Sequence, residues 1–433
     1  MPSSTLRTAF PTQSTPLLSY GPPFPTLTAQ HARTTFSAKR IYVLISGTLA
    51  RTTDSLQRLQ DALESHPNTD MRVVGVRRGM KSHTYWSEVA EVADDVRRSG
   101  ADLLVVVGGG SLIDAGKIAV TNNTTDLASL SSTNTTTTNP KQEIHPSHLP
   151  TIAIPTTLSG GEYSNLAGAT DDRTGEKHLF SSGIRGPQLI ILDAELCART
   201  TPPRVWLSTG IRAVDHCVET YLLQQSTSSK SGDAENETEE GEGEESALAK
   251  HGLGLLLPSL LRCRADAEGR DAEARLNCLL GSVDAMGACL GGEGGAGVKL
   301  GASHGIGHQL GPLGIPHGET SCILLPAVCK YNTKHSPRTT TRQTNLLHFL
   351  VRQPAVAEVL HARGVNADSA DLGDVLDAVI RELGLPRSLS EVGVGREQFD
   401  GVAERSLRDR FCAMNPVPLV RKEQVVEILE MVV

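Results

Sequence analysis

The chain has 433 residues, of which 39% are hydrophobic, and this is enough for two domain-sized cores. Its formal net charge is −8, but residues 233–245 alone carry eight carboxylates and no basic residue, so the remainder is balanced. This charge pattern excludes the basic face of a nucleic-acid-binding protein, and no apolar run approaches the roughly 20 residues of a membrane-spanning helix.

The cysteines and the N-terminal segment bear on the cellular compartment. Eight cysteines are scattered without any Cys-x-x-Cys spacing, which favours reduced thiols and predicts a cytoplasmic protein. Residues 1–39 are rich in Ser, Thr and Pro, and we expect them to form a disordered leader. A transit peptide is the less favoured alternative, because Arg7 is the only basic residue among the first thirty.

Alternating strand and helix patterns fill residues 40–200. The predicted strands are 41–46, 71–76, 102–110, 151–157 and 188–193, and helical patterns cover 53–65 and 85–99. The third strand is apolar throughout rather than alternating, as in a parallel sheet that is covered on both faces. The sequence therefore predicts an α/β domain with a Rossmann-like parallel sheet over residues 40–200.

Residues 201–433 show long helical patterns and no convincing β alternation. Examples are 205–223, 246–264, 272–290, 371–383 and 422–432. We therefore expect an all-α C-terminal domain that begins near residue 200. Two inserts interrupt the chain, the low-complexity residues 123–148 and the acidic residues 226–245, and their composition predicts disordered surface loops.

The third predicted strand runs into three glycines and then a helix, in the sequence VVVGGGSLIDAGK (105–117). This arrangement brings backbone N–H groups and a helix N-terminus together, which suits a phosphate. Neither the GxGxxG nor the Walker A spacing fits, since Ile113 and Ser111 stand where glycine is needed. Two simpler interpretations remain open: Asp114 closes a capping box with Ser111, and Lys117 is a solvated surface residue.

Three later motifs also carry polar side chains. AIPTTLSGGEYSN (153–165) places two threonines and two glycines at a strand end, where a doubly wound sheet gathers its ligand site. GIRAVDHCVETY (210–221) places His216 on a helix. HGIGHQLGPLGIPHGE (304–319) supplies His304, His308 and His317.

Together with the glycine motif, these segments resemble the iron-containing alcohol dehydrogenase superfamily, whose fold is shared with dehydroquinate synthase. The resemblance covers roughly residues 40–433. Three segments are most similar to the maleylacetate reductase branch: GMKSHTYWSEV (79–89) with His83, the compact PTTLSGGE, and PHGETSCILLPAVCKYN (316–332).

The resemblance implies that the first domain binds a nicotinamide dinucleotide, NAD(P)H. The residues that it assigns to the cofactor are Gly108, Gly109, Gly110, Ser111, Asp114, Thr156 and Thr157. Ser46 stands where NAD-selective relatives tend to carry Asp, and Arg51 is near enough in sequence to meet a 2′-phosphate. We therefore expect cofactor choice not to be restricted to NAD(H).

Metal-dependent members of the superfamily hold a divalent cation, Fe or Zn, with one Asp and three His. His216, His304 and His317 match the histidines, but Arg212 stands at the carboxylate position. Two unit charges about 4 Å apart repel by roughly 4 kcal/mol at an effective dielectric of 20, so a guanidinium opposes a metal there. We expect these residues to form an active site that requires no metal, and we expect Asp215 to point to a different helical face.

These observations predict a reductase that transfers hydride to a small carboxylated, maleylacetate-like substrate, in a homodimer that binds neither nucleic acid nor membrane. The candidate catalytic residues are Arg212, His216, His304 and His308, and His308 is the candidate for returning the proton. A metal-dependent alcohol or aldehyde dehydrogenase is the first alternative. A non-redox relative that uses the same pocket is the second.

Overall fold

The computed structural model describes residues 4–65, 70–81, 84–121, 148–175, 177–181, 183–223, 243–291 and 298–433. The chain divides into two compact units, Met1–Thr201 and Pro202–Val433. His83, nearly all of the insert 123–148 and residues 226–242 of the acidic insert lie outside the described residues. The last two acidic residues, Glu244 and Glu245, begin a helix instead of ending a loop.

The first unit is an α/β structure built on a sheet of seven strands. Its strands are β1 (Thr5–Thr8), β2 (Leu17–Tyr20), β3 (Arg40–Ile45), β4 (Arg72–Arg78), β5 (Leu103–Gly108), β6 (Thr151–Pro155) and β9 (Leu189–Leu192), and β7 (Ala167–Thr170) pairs with β8 (Lys177–Phe180) in a separate two-stranded sheet. The order in the large sheet is β1-β2-β9-β6-β5-β3-β4. All neighbours are parallel except β1 and β2, so the predicted parallel sheet is confirmed.

Helices cover both faces of this sheet. They are α1 (Phe24–Thr34), α2 (Gly47–Thr52), α3 (Ser55–Glu64), α4 (Trp86–Ser99), α5 (Gly110–Ala119) and α6 (Ala194–Thr200). The side chains of α4 and α5 form one apolar cluster with the sheet, and those of α1 and α3 form the other. Gly116 lets α5 lie close to the sheet, because a Cβ there would come within 2.8 Å of Val106 Cγ2.

The expectation of a disordered leader over residues 1–39 is wrong. β2 pairs with β9, and Leu18, Phe24 and Leu27 are buried in the core. The backbone N–H of Phe24, at the start of α1, donates to Asp193 Oδ2 over 2.8 Å. The apolar segments here are short and are separated by Ser, Thr and Pro, and β2 pairs with a strand far away in the sequence, so the local pattern does not predict them.

The second unit contains only helices among its described residues, as expected for the C-terminal domain. They are α7 (Pro203–Leu223), α8 (Glu244–Ala265), α9 (Ala272–Leu290), α10 (Ala302–Leu310), α11 (His317–His335), α12 (Pro337–Val351), α13 (Pro354–Ala362), α14 (Leu372–Glu382), α15 (Phe399–Ser406), α16 (Arg410–Met414) and α17 (Lys422–Glu430), with short 3₁₀ turns between them. None of the described helices is both long enough and apolar enough to cross a bilayer. Residues 206–222 of α7 are all buried, so this helix passes through the centre of its unit.

Candidate active site

The glycine turn after β5 is the candidate cofactor site of the first unit. Gly109 precedes α5, and no side chain caps this helix, so its N-terminus is formed by backbone alone. A Cβ at Gly109 would lie 3.2 Å from Thr157 Cγ2, and one at Gly108 would lie 3.4 Å from Ser46 Cβ. A turn this tight leaves space for a ligand only when it carries no side chains, which fits the pyrophosphate of a dinucleotide.

Neighbouring strands bring the other predicted cofactor residues to this turn. Ser46 follows β3 and its N–H donates to the carbonyl of Val107 over 2.8 Å. Thr156 follows β6 and its N–H donates to the carbonyl of Gly108 over 3.1 Å. The carboxyl ends of three parallel strands therefore gather Ser46, the glycine turn and the two threonines at one edge of the sheet.

The structure contradicts both simpler interpretations of Asp114 and Lys117. Asp114 caps nothing, since the N-cap of α5 is Gly109; its Oδ2 accepts from the N–H of Gly168 over 3.0 Å. The side chain of Lys117 is 1% exposed, and its Nζ lies 3.0 Å from Asp114 Oδ1. Neither side chain is a solvated surface group.

Glu162 lies in the loop after β6, and sequence analysis assigned it no role. It is buried, and burial raises the pKa of its carboxyl to about 7, against the opposing charge of Lys117. A carboxyl group with such a pKa titrates in the working range of most enzymes. The only sequence signal for it was its place in the PTTLSGGE motif.

The C-terminal unit contains a cluster of four histidines. His216 lies on α7, His304 and His308 lie on α10, and His317 begins α11. The rings of His216 and His304 stack with centroids 4.7 Å apart, and those of His308 and His317 stack at 6.2 Å. Packing of these three helices therefore brings all the predicted histidines together.

His304 and Glu219 form a buried hydrogen-bonded pair. Glu219 accepts from the N–H groups of Gly301 and Ser303, each over 2.7 Å, so its carboxylate is an acceptor. Nδ1 of His304 lies 2.7 Å from Glu219 Oε2, and burial raises the pKa of this carboxyl well above its usual value, so the two groups share one proton. Nε2 of His304 is buried without a hydrogen-bond partner among the described residues, and burial holds the pKa of His304 well below its usual value.

Arg212 and Asp215 form a chain of polar contacts beside these rings. Nη1 of Arg212 donates to Ser321 Oγ over 3.1 Å, and that hydroxyl donates to Asp215 Oδ2 over 2.6 Å. Ser303 Oγ donates to the same Asp215 oxygen over 2.7 Å. Arg212 is 1% exposed, and its Nε has no partner.

Burial and the charge of Arg212 shift the pKa values of two groups in this cluster. Burial raises the pKa of Asp215 to about 6, although Arg212 lowers it. Burial and, to a smaller extent, the charge of Arg212 together lower the pKa of His216 to about 3. Both imidazoles of the inner pair are therefore neutral at physiological pH, and Arg212 is the cation beside them.

The expectation that Asp215 points away from the cluster is wrong. It lies 3.4 Å from Nδ1 of His304, because α7 is enclosed on every side and neighbouring helices meet more than one of its faces. Sequence analysis missed Glu219 as well. Its signal was the spacing of Arg212, Asp215 and Glu219 along one stripe of α7.

His308 differs from the inner pair because its side chain is 37% exposed. Its Nδ1 lies 2.8 Å from Asp409 Oδ2, which orients the ring. A solvent-accessible imidazole held by a carboxylate is suited to proton transfer. Asp409 precedes α16, and nothing in the sequence pattern singled it out.

The polar cluster, formed by Arg212, Asp215, His216, Glu219 and His304, contains residues that could hold a metal ion. Asp215, Glu219 and His304 place ligand atoms within 4.8 Å of one another, and Asp215 Oδ1, His216 Nδ1 and His304 Nε2 are buried without a hydrogen-bond partner among the described residues. The buried guanidinium of Arg212 balances the acidic charge that a metal would balance. Its positive charge also stands at the position where the family supplies an anion.

Comparison with known proteins extends over nearly the whole chain. The family model for iron-containing alcohol dehydrogenase matches residues 27–194, and that for the C-terminal part of Fe-containing alcohol dehydrogenases matches residues 245–433. Dehydrogenase FUM7 of Gibberella moniliformis is 38% identical over 432 residues, which cover 96% of this chain and 96% of that protein.

Two solved structures share the fold. Maleylacetate reductase from Agrobacterium tumefaciens superposes with a TM-score of 0.68 at 21% identity, covering 99% of this chain and 96% of that one. Sulfoacetaldehyde reductase from Bifidobacterium kashiwanohense, in complex with NAD+, gives a TM-score of 0.74 at 21% identity, covering 99% and 98%. The family resemblance seen in the sequence is confirmed, and the chain belongs to the iron-containing alcohol dehydrogenase family.

Proposed function

We propose that this chain is a nicotinamide-dependent reductase that acts on a small carboxylated substrate, similar to maleylacetate, without a divalent metal. The observation that carries the proposal is the buried Arg212, which places a permanent cation beside two neutral histidines. Cytoplasmic location and a homodimer stay predictions.

The glycine turn and the two threonines are the proposed cofactor site of the first unit. When bound there, a reduced nicotinamide supplies the hydride. The absence of side chains at Gly108 and Gly109 admits the pyrophosphate, and the N-terminus of α5 favours its negative charge. The sulfoacetaldehyde reductase with the same fold was solved with NAD+, which supports this assignment.

The polar cluster of the second unit is the proposed substrate site. Addition of hydride to an activated double bond or a carbonyl group leaves negative charge on a substrate oxygen. Arg212 supplies a fixed positive field for this charge, since burial lowers the screening by water. His308, which Asp409 orients, donates the proton that completes the reduction.

A metal-dependent alcohol or aldehyde dehydrogenase is the second candidate function. The observation in its favour is the grouping of Asp215, Glu219 and His304, whose ligand atoms lie within 4.8 Å. The two candidates differ in substrate charge as well as in metal content. A guanidinium favours acidic substrates, whereas a metal acts on neutral aldehydes and alcohols equally well.

A substrate panel tests the proposal. Purified protein is mixed with NADH or NADPH and with keto acids, unsaturated dicarboxylates and uncharged aldehydes, and oxidation of the nicotinamide is followed by its absorbance. We expect turnover of carboxylated compounds at a kcat/KM at least tenfold above that of their uncharged analogues. Preference for uncharged aldehydes would favour the second candidate, and no oxidation with any compound would favour a non-redox relative.

A further inference from the structure

Nζ of Lys117 contacts the carboxylate of Asp114 and three backbone carbonyls in the region after β6. Nζ donates to the carbonyl of Gly161 over 2.8 Å and to that of Leu166, and the carbonyl of Ser164 lies 3.4 Å away. These carbonyls belong to the loop 156–166, which connects β6 to β7. One ammonium group therefore ties the far half of this loop to α5.

Asp114 holds the same region from a second direction. Its Oδ1 pairs with Lys117, and its Oδ2 accepts from the N–H of Gly168 on β7. Its side chain is 22% exposed, and both of its oxygens are engaged by protein groups. This engagement leaves Asp114 better suited to holding β7 than to binding a dinucleotide.

The near end of the loop carries the two threonines of the proposed cofactor site. Thr156 donates its N–H to the carbonyl of Gly108, and Cγ2 of Thr157 lies 3.2 Å from the position of a Cβ added to Gly109. Its far end is fixed by Lys117 and Asp114, and Gly161 packs against Gly110 and Asp114, which lie within 3.8 Å of its added Cβ. The loop thus lies along the glycine turn and is held at both ends.

Burial of the ion pair argues against a role in stability alone. Isolated buried charges are costly, and apolar side chains of similar size often stabilise a fold as well or better. What an ammonium group provides here, and an apolar side chain does not, is a donor for carbonyls that converge on one point. The buried ammonium group of Lys117 therefore fixes the geometry of the loop 156–166.

We propose that Asp114 and Lys117 are positioning residues for the cofactor, which hold the loop 156–166 so that Thr156 and Thr157 face the glycine turn at a fixed distance. This inference rests on the proposed nicotinamide site. In this proposal Asp114 holds the loop and does not bind the cofactor. Lys117 raises the affinity for the cofactor without contacting it.

The test combines NADH titration with amide hydrogen exchange of the full chain. Lys117→Met should raise the dissociation constant of NADH, followed by nicotinamide fluorescence, at least tenfold. It should also speed exchange across residues 156–168 while β5 and β3 stay protected. Lys39→Met, which removes an exposed lysine of the same unit, should change neither quantity.

Asp114→Asn keeps the size of the side chain and an acceptor for Gly168, so it serves where Lys117→Met does not fold. We expect it to raise the dissociation constant about threefold to tenfold and to speed exchange in the same loop. The double variant should bind NADH no more weakly than Lys117→Met alone, because the two residues act as a unit.

The outcomes separate this inference from the proposed function. Wild-type protein that binds no NADH would overturn both. Wild-type binding with unchanged affinity in both variants would overturn only the inference. Weaker binding without faster exchange in the loop would also overturn it, because the residues would then contact the cofactor directly.

Discussion

Nη1 of Arg212 donates to Oγ of Ser321 over 3.1 Å, so a hydroxyl links the guanidinium to the carboxylate of Asp215, to which that hydroxyl donates over 2.6 Å. Arg212→Met should lower kcat for acidic substrates about 100-fold, a usual cost of losing electrostatic stabilisation. Ser321→Ala, which removes the hydroxyl but keeps the charge, should cost less than about tenfold. Steady-state kinetics on both variants checks this, and a fully active Arg212→Met would contradict it.

The glycine turn provides a second prediction. Gly109→Val should raise the dissociation constant of NADH at least 100-fold, because its side chain would meet Thr157 and fill the space for the pyrophosphate. The control is Gly254→Ala on α8, where the nearest atom to an added Cβ lies 3.8 Å away. Fluorescence titration and thermal melting measure both variants. Unchanged NADH affinity in a folded Gly109→Val would remove the glycine turn from the cofactor site.

Cofactor choice is predicted from the residues that follow β3. Ser46 leaves no carboxylate to repel a 2′-phosphate, and the guanidinium of Arg51 lies 3.5 Å from where a Cβ on Gly47 would stand. NADPH should therefore be used with a kcat/KM within about tenfold of that for NADH. Ser46→Asp should lower the value for NADPH at least tenfold and leave that for NADH nearly unchanged. A wild-type preference for NADH above 100-fold would contradict this.

His308 and Asp409 are predicted to act in proton transfer. His308→Asn should lower kcat by about 10²-fold to 10⁴-fold while NADH binding stays unchanged. Asp409→Asn, which leaves the ring in place but weakens its orientation, should cost about tenfold. Kinetics and NADH titration of the two variants provide the comparison. Equal losses in NADH affinity and kcat would show a structural role instead.

Glu162 provides a prediction for the dependence of stability on pH. Its pKa rises from an ordinary 4.5 to about 7, so between these values the folded chain binds more protons than the unfolded chain. The free energy of unfolding therefore falls as pH rises through this window, by about 3 kcal/mol from this group, and is constant above it. The free energy of unfolding of Glu162→Gln, compared with that of wild type at the same pH, should therefore be lower at pH 4 than at pH 8. Urea denaturation at the two pH values measures this difference. A stability difference that does not change with pH would refute the shift.

The local sequence pattern was sufficient to predict a strand or helix whose own residues determine its structure. The five predicted strands of the α/β domain and the helix Ala272–Leu290 follow from their own apolar runs. The glycine turn follows from residues that are adjacent in sequence. The histidines of the cluster were found because their motifs resemble those of a known family.

Tertiary context determined what the sequence analysis missed. Leu17–Tyr20 is a short segment that becomes a strand only because β9 lies beside it. Lys117 reads as a surface residue until the loop carbonyls around it are known. Asp215 and Glu219 are polar residues on a helix that is buried on every face, so its sequence pattern predicts the helix but not which face meets the histidines.

We propose that Arg212 takes the place of a metal in this family member. The most direct measurement is elemental analysis of the purified protein, paired with its reductase activity before and after exhaustive chelation. We predict far less than one equivalent of Fe or Zn per chain and activity that chelation does not change. One equivalent of metal, with activity lost on its removal and recovered on its return, would show that Asp215, Glu219 and His304 or the matched histidines hold a catalytic metal beside Arg212.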